Sequence, residues 1–161
     1  MYIKHQLDKV LVTLDIAGEN ALFIVMARNG ELIRKGDGSA GNALPLLKTV
    51  SRQGHFDAFM STFAENVFAY SGVFDKSPYH GRQCTLLIVF NGPNDAEAGF
   101  KCMYGEDSEG PPLELSEMVI NAVKLTETWY RESIAELNTQ SVTRLKPDSE
   151  RDKKKSWQFW K

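Results

Sequence analysis

At 161 residues, 42% apolar and 25% charged, the chain has the size and composition of one globular domain, long enough to bury a core without a metal or disulfide framework. Its net charge of −2 selects no partner class, but from Val142 to Lys161 seven basic residues face three acids, so the tail carries +4 and the rest −6. The longest apolar runs are strand-length, short of the ~18 residues of a membrane span; the stretch from Met1 to Gln6 has no apolar segment of the signal-peptide kind; and Cys84 and Cys102 lie in apolar segments, as reduced thiols of a cytoplasmic protein would.

In chain order, Val10 to Ile16 alternates apolar and polar residues and predicts a half-buried strand. Ala21 to Ala27 is apolar on both faces and predicts a strand interior to a sheet. Asn29-Gly30 then predicts a tight hairpin, since both residues tolerate positive φ. Glu31 to Lys35 follows as a shorter, polar strand suited to a sheet edge. Gly36 to Asn42 reads as a loop. Pro45 in a first turn predicts a short helix over 45–52, and the spacing of Phe56, Phe59, Met60, Phe63, Val67, Phe68 and Tyr70 predicts a second, ended by Gly72. Residues 73–82 read as a loop.

Cys84 to Phe90 is continuously apolar, as a buried central strand would be. After the break at Asn91-Gly92-Pro93, Gly99 to Tyr104 alternates again. Gly110-Pro111-Pro112 precedes a long helix with Leu115, Met118, Val119, Ala122, Leu125, Thr126, Trp129 and Tyr130 in one stripe. Beyond Leu137 the chain turns polar. The expected fold is α+β: a mainly antiparallel sheet of about five strands in two hairpin units, with two or three helices packed on one face. The domain spans residues 1–137, and 138–161 form a polar linker with a basic-aromatic tail.

Three constellations compete as sites. Gly36-Asp37-Gly38-Ser39-Ala40-Gly41 matches G-x-G-x-x-G, which in a dinucleotide fold lets the backbone approach a pyrophosphate at a helix N-terminus. Here the preceding strand is polar and hairpin-paired, so a connecting loop is expected. Asp75, His80 and Cys84 offer orienter, base and thiol, but Cys84 opens an apolar strand where burial would silence it. His5, His55 and His80 have no metal-ligand spacing, and neither metal nor cofactor is expected.

The third is the acidic run. Glu114 and Glu117 complement the N-terminus of the long helix, leaving Glu106, Asp107 and Glu109 to steer a basic partner protein. Trp157, Phe159 and Trp160, among lysines, form a second candidate contact, through which a membrane surface is the less favoured alternative. Nucleic acid is disfavoured by the −6 body. These features point to a non-enzymatic interaction module, of the inhibitor or immunity type, that masks a basic partner's site. The alternatives are a ligand-binding domain or enzyme using the Gly36–Gly41 loop or the Cys84/His80 pair. The sequence leaves oligomeric state open.

Overall fold

A computed structural model describes residues 3–93 and 97–145. The chain divides into two units, residues 1–126 and 127–161. Its elements are α1 (Ile3–Gln6), β1 (Lys9–Ile16), β2 (Glu19–Ala27), β3 (Glu31–Gly36), β4 (Leu46–Val50), α2 (His55–Met60), a 3₁₀ turn (Glu65–Tyr70), β5 (Gly72–Asp75), β6 (Gln83–Asn91), β7 (Glu97–Gly105) and α3 (Leu113–Leu145).

The strands form one sheet in the order β4-β3-β2-β1-β6-β7-β5. Every neighbouring pair is antiparallel except β5 with β7, which is parallel. The fold is thus α+β as expected, with seven strands in a mixed sheet instead of about five in an antiparallel one. The Asn29-Gly30 hairpin forms: Gly30 takes φ +100, its N–H donates to the Ala27 carbonyl at 2.9 Å, and the Asn29 side chain accepts from the Glu31 N–H at 3.0 Å.

Five local expectations are corrected. The helix expected over 45–52 is strand β4, where Leu46, Lys48 and Val50 are exposed and Leu47 and Thr49 less so. That alternation has period two, and Pro45 simply precedes a strand. Because β4 pairs with it, β3 is interior and not the edge. The segment expected to be a loop over 73–82 begins with β5, too short to show any periodicity.

The single helix read from Phe56 to Tyr70 is two pieces. The Ser61 Oγ bonds the Ala58 carbonyl at 2.7 Å and the Thr62 Oγ1 bonds that of Phe59 at 2.6 Å, closing α2 with side-chain hydroxyls. The 3₁₀ turn that follows carries the buried Val67 together with Phe68, whose ring meets that of Phe90. Lastly, α3 continues through residues 138–145, which polar composition assigned to a linker; polar residues do not stop a helix unless Gly or Pro intervenes, and Pro147 comes later.

In residues 1–126 the helical segments pack on one face of the sheet, called here the inner face. It carries Val10, Val12 and Ile16 of β1, Leu22, Ile24 and Met26 of β2, Leu32 of β3, Cys84, Leu86, Ile88 and Phe90 of β6, and Ala98, Phe100 and Cys102 of β7, all buried. Phe59, Phe63 and Phe68 close over Phe90, with centroids 6.2, 5.9 and 5.2 Å away. Lys4 ties α1 to the same cluster, its Nζ donating to the Phe63 carbonyl at 2.6 Å.

The first turns of α3 bury Leu115, Met118, Ala122 and Thr126. Arg34, fully buried in β3, reaches that helix: its Nη1 donates to the Val123 carbonyl at 3.3 Å and the Thr126 hydroxyl at 3.2 Å, and its Nε to the Gly36 carbonyl at 3.0 Å. In residues 127–161, Arg131 donates to Glu127 one turn back at 2.8 Å. Among the described residues no helix is long and apolar enough to cross a membrane.

Candidate functional site

The acidic loop is tied down and largely compensated. Glu106 takes a two-point contact from Arg82, Nε to Oε1 at 3.0 Å and Nη2 to Oε2 at 2.5 Å. The guanidinium bonds hold its carboxyl below the ordinary carboxylate value. Glu109 lies 4.0 Å from the Lys76 ammonium. The loop backbone is laced to residues 80–82: Glu106 N–H donates to the Arg82 carbonyl at 2.8 Å, and Asp107 N–H to that of His80 at 2.9 Å. The Ser108 hydroxyl accepts from the His80 N–H at 2.9 Å. Two of the three expected partner-facing acids, Glu106 and Glu109, thus meet cations of the chain itself. Asp107 is exposed beside them. Trp157, Phe159 and Trp160 lie outside the described residues.

Asp75, His80 and Cys84 do not converge. Asp75 accepts from the Tyr79 hydroxyl at 2.7 Å and the Ser77 N–H at 3.0 Å; the Tyr79 bond, first among its causes, lowers its carboxyl and raises the phenol. His80 is exposed. Cys84 is buried on the inner face with its Sγ 3.7 Å from the Arg82 carbonyl. Burial pushes its thiol up, and that of Cys102 likewise, the opposite of what a thiolate nucleophile needs. Both cysteines are free.

The Gly36–Gly41 loop leads into strand β4, so it does not present a helix N-terminus. Gly36 packs so closely on Ala21 that a Cβ would fall 2.3 Å from its carbonyl oxygen. The loop's N–H groups serve the chain's own carboxylates: Ser39 donates to Asp37 at 3.0 Å, and Gly41 to both Glu19 oxygens at 3.2 Å. A phosphate would have to displace two carboxylates to use these donors.

Among the described residues no group of three or more His, Cys, Asp or Glu is placed to hold a metal. A cleft of about 280 Å³ lies between the 3₁₀ turn and the start of α3, floored by Phe63, Val67 and Met118 and rimmed by Thr62, Asn66, Asn121, Glu114 and Glu117.

The outer face of the sheet lies opposite the helical segments of residues 1–126. Strand register aligns its side chains in rows. One row runs Lys48, Ile33, Val25, Leu11, Val89 and Gly99 across β4 to β7. The next runs Leu46, Lys35, Phe23, Thr13, Leu87, Lys101 and Val73, from one edge of the sheet to the other. Leu11, Phe23, Ile33, Leu87 and Val89 are partly buried and Val25 is buried, while Leu46, Val50 and Val73 are 60%, 75% and 67% exposed.

These residues form an apolar band with lysines set into it and around it. Lys9 is neutralised by Glu31 at 3.2 Å. Lys35, Lys48 and Lys101 are exposed, and none of them pairs with a carboxylate among the described residues. A contiguous apolar surface with a polar rim is the ordinary mark of an interaction site.

Comparison of the chain with protein-family models, with curated protein sequences and with solved structures finds no match in any of the three. The site therefore rests on its own geometry. Sequence reasoning passed over the outer face although its signal was present: Ala21 to Ala27 and Cys84 to Phe90 are apolar on both sides, a pattern of strands covered twice, and the described helices of residues 1–126 cover them once.

Proposed function

We propose that this protein is an interaction module that docks a partner protein on the outer face of its sheet. The observation that carries this reading is the apolar band of partly exposed Leu11, Phe23, Ile33, Leu87 and Val89 around the buried Val25, with Lys35, Lys48 and Lys101, which pair with no carboxylate among the described residues. The complementary partner presents an apolar surface bearing carboxylates. Charge favours such a partner over a second copy of this chain. The lysines stand on both sides of the band, so a twofold axis along the strands lays β3 over β7 and brings Lys35 towards Lys101. A twofold axis across the strands lays each strand on its own copy and brings lysine towards lysine again. The free thiols Cys84 and Cys102 suit a reducing, cytoplasmic setting.

The test places a photo-crosslinking residue at Leu11 or Val89, and in a control at Ile120 on α3. The expected result is one dominant heterologous adduct from the outer face, absent at Ile120 and lost when Phe23→Asp is added. A central apolar anchor of this kind contributes ~2 kcal/mol or more to binding, so capture should fall about 30-fold. Equal adducts from both positions would count against the reading, and an adduct of the chain with itself would make the second copy the occupant.

A second reading keeps the inhibitor or immunity type, with a basic partner at Glu106, Asp107 and Glu109. The exposure of Asp107 and Glu109 on a loop fixed to residues 80–82 favours it. Reversing all three acids to Lys tests it: unchanged capture of the partner removes it.

A further inference from the structure

We propose that β4 accepts an eighth strand: an extended segment of a partner protein with an acid between two apolar residues at alternate positions. The inference rests on the docking reading above and narrows it to one edge and one side-chain pattern. β4 ends the sheet. The Ser51 N–H donates to the Gly30 carbonyl at 2.8 Å, which puts Ser51 among the residues bonded to β3. Alternation along an antiparallel ladder then puts Thr49 and Leu47 in the same set. It turns the main-chain N–H and C=O of Leu46, Lys48 and Val50 outward, ready to pair with an added strand.

The side chains of those three residues lie on the outer face and continue the apolar band to its limit. Leu46 and Val50 are 60% and 75% exposed, with exposed Lys48 between them. A strand laid here sets its own alternate residues against apolar, basic and apolar neighbours, so apolar–acidic–apolar is the complement. A second β4 paired about its midpoint would instead oppose Lys48 to Lys48, which works against self-addition. The other edge, β5, has four residues in parallel pairing and offers a shorter template.

The test uses the full chain, isotopically labelled for amide spectra, and two heptapeptides. One is Thr-Val-Thr-Glu-Thr-Val-Thr; the other replaces its Glu with Lys. At peptide concentrations up to about 1 mM, the Glu peptide should shift the amides of Leu46, Lys48 and Val50 and slow their exchange with solvent. The Lys peptide should bind about fivefold more weakly. In Lys48→Glu, which is exposed and whose fold the same spectra check, the order of the two peptides should invert.

Shifts confined to Phe23, Leu11 and Val89 would overturn strand addition and leave the docking face standing. No shift with either peptide, or no inversion in Lys48→Glu, would overturn the eighth strand alone. Loss of the outer-face crosslink described above, with peptide binding intact, would remove the docking face alone.

Discussion

Arg34 shows how one side chain couples sheet to helix. It is fully buried, where a charge is costly unless hydrogen-bonded, and it donates to two carbonyls and to Thr126. Arg34→Ala leaves the Thr126 hydroxyl and the carbonyls of Gly36 and Val123 without those donors. The loss should reach about 3 kcal/mol, seen as a lower urea midpoint at unchanged slope. Arg34→Lys should rescue little, because one ammonium cannot span the reach of the guanidinium. A second residue-scale consequence concerns pH. Burial raises the thiols of Cys84 and Cys102 above their ordinary 9.0 and pushes the Tyr104 phenol from 10.0 up to about 12. The folded chain then holds protons that the unfolded chain releases. The stabilisation from these groups is fully present below pH 9 and drains away as pH rises towards 12. Stability measured across that window should fall, and Tyr104→Phe should flatten the fall.

At the scale of elements, the alternation on β4 makes a prediction that its sequence neighbours sharpen. Thr49→Pro removes an N–H bonded to β3 and should destabilise by on the order of 3 kcal/mol, whereas Lys48→Pro removes one directed outward and should cost much less. Thermal unfolding of the two variants checks the orientation on which strand addition depends. The same strand shows where sequence reading runs out. β2 and β6 were legible because their unbroken apolar runs, Ala21 to Ala27 and Leu86 to Phe90, fit little else. β4 was not: five residues starting after a proline satisfy a first helical turn and an edge strand alike, and only pairing to β3 decides. β5 is defined by its parallel partner, 28 residues away at Gly72 and Phe100. The acidic loop is a related case. Its charge is visible along the chain, but its compensation by Arg82, 24 residues earlier, exists only after β6 and β7 pair. The outer face needed two facts at once, the double-sided apolar strands and the side on which the helices pack, and sequence supplied the first alone.

For the whole molecule the question is what a sheet gains from an apolar face that the described helical segments of residues 1–126 leave uncovered. Sealing that face internally would raise stability, since each apolar side chain fully removed from water contributes ~1.5–3 kcal/mol; on the docking reading proposed above, leaving it open reserves that free energy for association. The lysines then set the sign of the electrostatics, and salt reads that sign. At about 0.15 M ionic strength the Debye length is roughly 8 Å, so exposed charges act over short range and are screened as salt rises. If the outer face receives a carboxylate-bearing partner, raising salt should slow association, and Lys35→Glu, Lys48→Glu and Lys101→Glu together should both weaken binding and reverse the salt slope. If instead two copies pack face to face, lysine opposes lysine, so salt should promote self-association and the same triple change should leave acids opposing acids with the slope unaltered. Sedimentation velocity of the chain alone and mixed with the free partner that crosslinking identifies, at low and high salt, separates the two. Growth of a self-association peak with salt would displace the heterologous partner; a monomer at all salt concentrations, with partner binding that weakens steadily as salt rises, is the outcome expected from the arrangement of Lys35, Lys48 and Lys101.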